Sequence, residues 1–342
     1  MPKPRLTEVA DFAGVSEATV SRVLNERPGV AEVTKQQVLT ALDVLGYERP
    51  SKLRSRSAGL VGLIVPELDN PIFPVMAQVL QIALAQNGYT AVLCTQTPDS
   101  IGEDDYVGML SELGVSGIVF VSGLHADATA DPERYRSLVR MRLPIVLVNG
   151  FTEGVKAPFL STDDRAAMDV AVQHLASLGH RHIGLATGPD RFVPVRRKRE
   201  GFLAAMDKHL GTDVHEATKL IEVTIFSQHG GYAAAEALLG RGATAIVCGS
   251  DLMALGAVRA VRALGGTVPG TCSVIGFDDS TLMNFTEPPL TTLRQPVQEL
   301  ALAAVRALLE EINGDEIPRS EFLFAPELIV RGSTGSAPIL TR

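Results

Sequence analysis

The sequence predicts a small all-α helix-turn-helix headpiece followed by a two-lobed α/β domain built on parallel sheets. Three observations lead to this prediction. The first 45 residues carry apolar side chains at helical spacing, interrupted at Gly14. From Leu60 onward, apolar runs alternate with helical stretches, and this alternation occurs twice along the chain. With 342 residues, 46% of them hydrophobic, the protein has enough material for two or three packed units.

The stretch LTEVADFAGVSEATVSRVLN, from Leu6 to Asn25, predicts two short helices that share one small core. Gly14 lies where the turn between them needs a residue free to adopt positive φ. Ser16 follows as a natural N-cap for the second helix. In a helix-turn-helix the second helix enters the DNA major groove, where its outer face meets base edges. The residues left on that face are Glu17, Ala18, Ser21, Arg22 and Asn25.

A third helical run, from Val33 to Leu45, places Val38, Ala41 and Leu42 on one side, where they can close a three-helix core. The first two helices alone are equally compatible with an ordinary α-hairpin. The third helix, which stops before Gly46 with Pro50 beyond it, favours a complete DNA-binding unit.

These motifs resemble those of a known protein family. LTEVADFAGVSEATVSRVLN, followed by a helix that ends in LGY, resembles the amino-terminal headpiece of transcription regulators of the lactose-repressor (LacI) family. The resemblance extends along nearly the whole chain. For the first two helices it implies a DNA-contacting set made up of Thr7, Ser16, Glu17, Ala18, Thr19, Ser21, Arg22 and Asn25.

The segment from Arg49 to Gly59 is basic and rich in serine, and by composition it reads as a flexible linker. The resemblance implies a second possibility, a hinge helix that forms on the operator. In that case Leu53 wedges into the minor groove and Arg54 contacts the DNA beside it. Counted from Tyr47, however, the segment is shorter than the family pattern by nearly a helical turn, which puts the hinge helix in question.

Two sets of strands and helices follow. Apolar runs with helical crossovers indicate parallel sheets covered on both faces, and two such sets suggest two lobes facing a cleft. In the first set we expect strands over 60–66, 89–96, 117–123 and 144–150, with helices over 74–87 and 103–113. In the second set we expect helices over 164–178 and 195–209 and strands over 182–188, 220–226, 245–251 and 273–279.

The carboxyl-terminal tail predicts a helix over 297–312 and a last strand pair within 322–333. The resemblance implies that this tail packs on the first lobe before ending at the second, as in periplasmic sugar-binding proteins. The expected domains are a headpiece over 1–48, a basic linker over 49–59 and a sugar-binding and dimerisation domain over 60–342. Within the last, the first lobe covers about 60–161 plus 293–322, and the second covers about 162–290 plus 325–335.

Ligands of such a fold bind between the lobes, at the carboxyl ends of the strands. A sugar site needs acidic, amide and basic groups for its hydroxyls and an apolar platform for its ring faces. Side chains of these types stand at the predicted strand ends, namely Asp69, Asn70, Phe73, Asn149, Asp251 and Asp278. Each could instead be a helix cap or turn residue, and for Asp163 and Asp279 we favour that interpretation.

A basic cluster, RFVPVRRKREGF, begins the helix near residue 195. The arginine that anchors the ligand in the family falls on Lys198, which cannot offer the bidentate fork of arginine. The hydrogen-bonding role therefore either stays with Lys198 or passes to a neighbour such as Arg197. Ser250 also departs from the family, where many members have asparagine. Because the chain lacks tryptophan, Phe73 and Phe192 are the candidates for sugar stacking.

Within the family, the segments SEATVSRVLN, LDVLGYERP, GLIVPELDNPIFP, VSGLHAD and RFVPVRRK resemble actinobacterial regulators of maltose and malto-oligosaccharide genes. This implies a homodimeric repressor that binds a near-palindromic operator and is released by a small carbohydrate. A different sugar, or a corepressor in place of an inducer, stays open. A more remote alternative is a cytoplasmic sugar-binding enzyme with an unrelated helical cap.

The charge distribution agrees with a DNA-binding amino terminus. Residues 1–60 hold nine Lys or Arg against seven Asp or Glu, whereas the remainder holds 22 against 32. An acidic body disfavours indiscriminate binding to DNA, and a basic segment beside a helix-turn-helix suits phosphate contacts. No apolar run is long enough for a membrane span and the first residues show no signal core, so we expect a cytoplasmic protein with no membrane partner.

The remaining motifs argue against an enzyme. The chain contains no G-x-S-x-G, P-loop, G-x-G-x-x-G or H-E-x-x-H sequence, so we expect no catalytic residues and no cofactor. Three cysteines, Cys94, Cys248 and Cys272, are far apart in apolar runs, which indicates buried thiols. The histidines show no metal-ligand spacing, so we expect no metal site.

Overall fold

The structure is a computed structural model that describes residues 6–24, 29–45, 58–96, 101–315 and 318–338. The chain divides between Ala58 and Gly59 into an amino-terminal unit and a larger body. Within the described residues, no helix is long and apolar enough to cross a membrane.

The amino-terminal unit is a three-helix structure. Its helices are α1 (Leu6–Ala13), α2 (Glu17–Leu24) and α3 (Glu32–Val44). Gly14 adopts φ +64°, and Ser16 caps α2 by accepting a hydrogen bond on its Oγ from the backbone N–H of Thr19 at 3.2 Å. The turn chemistry expected from the sequence is therefore present. The buried core of the unit consists of Val9, Ala10, Val20, Val23, Leu24, Val38, Ala41 and Leu42.

The first lobe of the body is a six-stranded parallel sheet in the order β11-β5-β4-β3-β1-β2. Helices cover both faces of this sheet. The strands are β1 (Gly59–Val65), β2 (Tyr89–Thr95), β3 (Gly117–Val121), β4 (Ile145–Val148), β5 (Phe159–Thr162) and β11 (Glu321–Phe324). The helices are α4 (Ile72–Gln86), α5 (Glu103–Glu112), α6 (Glu133–Arg140) and α12 (Val297–Asn313).

The second lobe repeats this plan with a sheet in the order β12-β10-β9-β8-β6-β7. Its strands are parallel except for the antiparallel pair β10 and β12. They are β6 (Ile183–Thr187), β7 (Ile221–Val223), β8 (Ala245–Cys248), β9 (Ser273–Asp278), β10 (Thr291–Arg294) and β12 (Glu327–Ile329). The helices are α7 (Asp164–Ser177), α8 (Val193–Leu210), α9 (Val214–Thr218), α10 (Gln228–Gly240) and α11 (Asp251–Ala263).

Each sheet separates two apolar layers, which explains the continuous apolar strands. In β1, Val61, Leu63 and Val65 face the layer formed with α4 and α12, whereas Ile64 faces the layer formed with α5 and α6. In the second lobe, one layer belongs to α7 and α8 and the other to α10 and α11. The predicted fold class, a helix-turn-helix unit plus a two-lobed, mainly parallel α/β domain, is confirmed.

The chain passes between the lobes three times, after β5, after β10 and between β11 and β12. Helix α12 packs on the first lobe, as the tail was expected to do. One strand was overextended in the sequence interpretation. The run 220–226 forms a strand only as far as Val223, so Ile225 and Phe226 belong to the loop before α10. The three cysteines are free and buried.

Candidate functional site

A cavity of about 220 Å³ lies between the lobes, at the carboxyl ends of their parallel strands. This is where open α/β sheets place their ligands. Six of the nine predicted ligand residues line it: Asn70, Phe73, Asn149, Phe192, Lys198 and Asp278. Lining residues that the sequence interpretation did not select include Glu67, Ser122, Thr162, Asp164, Phe226, Phe277 and Gln295, and Ser250, the departure from the family pattern, also lines the cavity.

Asp278, the last residue of β9, is the centre of a hydrogen-bond network that joins the lobes. Its Oδ1 accepts from Gln295 Nε2 at 2.7 Å, and its Oδ2 accepts from Asn70 Nδ2 at 3.4 Å. Gln295 in turn accepts on Oε1 from the hydroxyl of Thr162 at 2.9 Å. Burial first, and then the carboxylate of Asp251, raise the pKa of Asp278. A ligand hydroxyl would meet a carboxyl group already held in place, and the protonated form that the raised pKa favours can donate as well as accept.

Lys198, in the second turn of α8, is buried and pairs with Asp164 at the start of α7. Its Nζ also lies 3.9 Å from the ring centroid of Phe277, a cation–π contact. Burial raises the pKa of Asp164, and the positive charge of Lys198 opposes that rise. The pair offers a ligand one donor and one acceptor side by side. Asp164 was not predicted, because its position after a strand and before a helix reads equally as a cap.

Three lining residues hold backbone conformations that side chains rarely adopt. Ser122 after β3 has φ +46°, Asn149 after β4 has φ +61°, and Asp278 has φ +120°. Non-glycine residues with positive φ cost roughly 1–3 kcal/mol each and concentrate at functional sites. Asparagine tolerates the left-handed region better than most residues, so the strain lies mainly at Asp278 and Ser122. Strained turns of this kind indicate a functional site, because the backbone geometry is retained although it is energetically unfavourable.

Aromatic rings supply the apolar walls. Phe73, Phe192 and Phe226 all line the cavity. The sequence interpretation missed Phe226, because it assigned that residue to a strand. Two glycines could have revealed it, since a Cβ at Gly188 would lie 2.1 Å from the Phe226 ring and one at Gly249 would lie 3.2 Å from it. Glycines at the ends of β6 and β8 therefore make room for this ring.

Three predicted ligand residues lie outside the cavity, and we revise their roles. Asp69 is exposed on the loop after β1 and is not part of the lining. Arg197 points away from the cavity and forms a bidentate pair with Glu321, at 2.6 and 2.7 Å. Asp251 lies beneath the cavity, where its carboxylate accepts from the Ser280 backbone N–H at 2.7 Å and the Thr292 hydroxyl at 2.6 Å. Sequence position could not reveal these distant partners.

Asp163 and Asp279, for which we favoured a cap or turn role, do not line the cavity. Asp163 caps α7, its Oδ1 accepting from the backbone N–H of Ala166 at 3.0 Å. Asp279 pairs with Arg294 at 2.7 Å and Arg331 at 2.6 Å. Ser250, one of the departures from the family pattern, caps α11 by accepting from the backbone N–H of Met253 at 3.2 Å.

The second predicted site is the outer face of α2. Ser16, Glu17, Ala18, Ser21 and Arg22 are exposed, whereas Val20, Val23 and Leu24 are buried. Thr7 is exposed on α1 and Thr19 is half-buried, its hydroxyl 2.9 Å from that of Ser16. Within the amino-terminal unit, these side chains form the exposed face of α2. The predicted DNA contacts Asn25, Leu53 and Arg54 lie outside the described residues.

The chemistry of the cavity suits a neutral polyhydroxylated ligand. Carboxylates, amides and one lysine can accept from and donate to hydroxyls, while phenylalanine faces can cover the apolar side of a ring. Among the residues the structure describes, no three His, Cys, Asp or Glu side chains are grouped so that they could hold a metal ion.

Comparisons with known proteins agree with this geometry. Residues 5–50 match the family "Bacterial regulatory proteins, lacI family", and residues 172–334 match "Periplasmic binding protein-like domain". The HTH-type transcriptional regulator MalR of Streptomyces coelicolor is 61% identical over 335 residues, covering 98% of this chain and 97% of that protein. The HTH-type transcriptional regulator DegA of Bacillus subtilis is 30% identical over 337 residues, covering 97% of this chain and 98% of that protein.

Two solved structures extend the comparison. A complex of the transcriptional regulator CelR with cellobiose superimposes with a TM-score of 0.71 at 30% identity, covering 97% of this chain and 100% of the other. The lac repressor dimer bound to operator and the anti-inducer ONPF gives a TM-score of 0.70 at 24% identity, covering 98% and 100% of the two chains. The second likeness bears on the fold alone.

Proposed function

Because the chain belongs to the LacI family of bacterial transcription regulators, we propose that it represses genes for uptake and use of maltose and malto-oligosaccharides and releases its operator when such a sugar binds. The single observation that carries the sugar assignment is the inter-lobe cavity, where Asp278, Asn149 and Lys198 face the same space as Phe192 and Phe226. Such a mixture of polar groups and aromatic faces matches the hydroxyls and ring faces of a carbohydrate. The protein is a regulator, not an enzyme.

On the DNA side, we propose a homodimer that binds a near-palindromic operator in the cytoplasm. A chain with one headpiece reads one half-site, and two-fold symmetric proteins meet two-fold symmetric sites. The exposed face of α2 carries the proposed base contacts, with Arg22 on a guanine and Glu17 and Ala18 on neighbouring bases. Leu53 and Arg54 remain proposals from the family resemblance.

A different effector is the second candidate, and one observation favours keeping it. Lys198 replaces the arginine of the family pattern, and Asp164 already engages it. A lysine bound to a carboxylate recognises a different arrangement of hydroxyls than a free guanidinium does. A cavity changed in this way suits a sugar other than the common family ligands, whether inducer or corepressor.

The test is a gel-shift assay with the full chain and DNA from upstream of its own gene and of malto-oligosaccharide transport genes. We expect a specific complex that maltose or maltotriose dissociates and that ribose leaves intact. A complex that the same sugars strengthen would instead indicate a corepressor. A complex that no α-glucoside affects would refute the sugar assignment.

A further inference from the structure

A second cavity, of about 440 Å³, adjoins the inter-lobe cavity. We name it the side compartment and the 220 Å³ space the main cavity. The start of α8 borders both spaces. Its N-cap Phe192 and its residues Val195 and Lys198 line the main cavity, while Val193, Arg196 and Arg197 line the side compartment. The loop after β3 does the same, with Ala126 on one side and Asp127 on the other.

The partition between the two spaces is a bridge of two short segments, one from each lobe. Asp127 and Phe192 pair as an isolated antiparallel bridge, and the Ala128 backbone N–H donates to the carbonyl of Arg191 at 2.9 Å. The side chain of Arg191 adds an ion pair to Asp127 at 3.3 Å and is 56% exposed. Asp127 itself is buried, and its Oδ1 also accepts from the backbone N–H and the hydroxyl of Thr129 at 2.9 and 2.7 Å. The partition is thin, because one backbone bridge and one ion pair form it.

The side compartment contains hydrogen-bonding groups without partners. Among the described residues, no hydrogen bond or ion pair involves the guanidinium of Arg196 or the carboxylate of Glu153, and both side chains are exposed. Phe151 adds an aromatic wall.

The size of the main cavity sets a limit on the ligand it can enclose. Its 220 Å³ is below the range of roughly 300–1,000 Å³ that is usual for clefts enclosing drug-sized ligands. A chain of three or more sugar rings cannot be enclosed there. It must leave the main cavity, and the thin partition leads to a compartment with unused polar groups and an aromatic wall.

We infer that the side compartment is a subsite for the additional glucosyl units of a malto-oligosaccharide, so that the protein distinguishes its effectors by chain length. This inference rests on the proposed function, since it takes an α-glucan as the effector. The first units occupy the main cavity. The later units pass the Asp127–Phe192 bridge and bind Arg196 and Glu153 through their hydroxyls.

The experiment is isothermal titration calorimetry of the full chain with maltose, maltotriose and maltotetraose. We expect affinity to rise with chain length in the wild-type protein. Arg196→Ala and Glu153→Ala should each leave maltose affinity unchanged and weaken maltotetraose binding roughly 10-fold, as expected for a lost hydrogen bond to a charged group. The matched control is Arg181→Ala, which removes another exposed arginine, one with no hydrogen bond or ion pair to any described residue, from the loop before β6 at the other end of the strands.

The possible outcomes distinguish a failure of the subsite from a failure of the proposed function. If no α-glucoside of any length binds the wild-type protein, the proposed effector class fails. If maltose binds but longer chains bind no tighter, the proposed function stands and the subsite is refuted. If Arg196→Ala weakens all three sugars equally, Arg196 acts on the main cavity or on the lobes, and the subsite is again refuted.

Discussion

At Asp278 the binding site lowers the stability of the folded protein. It combines φ +120°, full burial and a pKa raised first by burial and then by the charge of Asp251. A carboxyl whose pKa is higher in the folded protein than in the unfolded chain contributes stability that is fully present below the unfolded pKa, about 3.9. That contribution is lost as the pH rises through the folded pKa. Burial thus favours the protonated carboxyl of Asp278, which can donate a hydrogen bond to a ligand as well as accept one.

The first prediction concerns the pH dependence of folding stability. Asp278→Asn keeps the shape and removes the charge, so its melting temperature relative to wild type should increase steadily as the pH is raised above about 4. Thermal melts across a pH series measure the difference. Asp169→Asn is the control of opposite sign, because hydrogen bonds from Lys208 and His209 lower the pKa of Asp169. That variant should be destabilised at neutral pH. A flat difference for Asp278→Asn would show that the pKa of Asp278 is the same in the folded and unfolded protein, which would contradict the shift.

The same variant tests the role of the carboxylate in binding. At a pH high enough to ionise Asp278, replacing this charged acceptor by an amide should weaken maltose binding roughly 10-fold, because hydrogen bonds to charged groups are about twice as strong as neutral ones. Operator affinity without sugar should be nearly unchanged, and the response to sugar should be blunted. Loss of DNA binding and sugar response together would instead mean that Asp278 holds the fold.

At the scale of elements, α2 carries the proposed sequence specificity. Arg22 is exposed in its last turn, and a bidentate contact to guanine contributes about 1–3 kcal/mol of discrimination. Arg22→Ala should therefore reduce affinity for the operator far more than affinity for random DNA, as measured by fluorescence anisotropy at one salt concentration. An equal loss on both DNAs would identify Arg22 as a phosphate contact.

The loop after β3 depends on a buried polar network. The Tyr135 hydroxyl accepts from the His125 backbone N–H at 2.8 Å and donates to Glu103 Oε1 at 2.5 Å. Glu103 also accepts from the backbone N–H of Leu124 at 3.0 Å. Because Ser122 and Ala126 of this loop line the main cavity, the network positions part of the site from behind.

The third prediction concerns this network. Tyr135→Phe should lower the melting temperature by several degrees, since an unpaired buried polar group costs about 1–3 kcal/mol, and it should also weaken sugar binding. Tyr106→Phe is the control, because the Tyr106 hydroxyl donates to the carbonyl of Thr95 at 3.0 Å in a part of the first lobe that does not line the cavity. It should leave sugar affinity unchanged. Equal sugar affinity in the two variants would contradict the positioning role.

Elements and strand ends were predictable because they depend on local pattern. Apolar runs located most strands, and the residues that follow them reached the cavity in the cases of Asn149 and Asp278. Partners distant in sequence were not predictable. Arg197 stands beside Lys198, yet one meets Glu321 and the other Asp164. Phe226 was not predicted to line the cavity, because the periodicity of the sequence does not show at which residue a strand ends and a loop begins.

For the whole molecule, the decisive quantity is the equilibrium between lobe arrangements. The cavity is built from both lobes, so a ligand that touches both favours the arrangement described here. Among the described residues, the side-chain contacts that join the lobes around it include those of Asn70 with Asp278, Asp127 with Arg191, and Arg197 with Glu321. Only the last is both bidentate and partly shielded from solvent, with exposed fractions of 12% and 14%. It is the contact best suited to set the equilibrium without touching a ligand in the main cavity.

The last prediction tests that role. Glu321→Gln removes the charge of a contact that lies outside the main cavity, so any loss of sugar affinity must come from a smaller population of the binding-competent arrangement. We expect maltose affinity to fall roughly 3- to 10-fold, with a larger radius of gyration in solution scattering that saturating sugar restores. Glu327→Gln is the matched control, since its ion pair with Arg294 at 2.9 Å lies within the second lobe. If sugar release of the operator is driven by the lobe equilibrium, with a coupling of about 1–3 kcal/mol, Glu321→Gln should also shift the sugar concentration needed for release, and Glu327→Gln should not. An identical response of the two variants would place the coupling elsewhere.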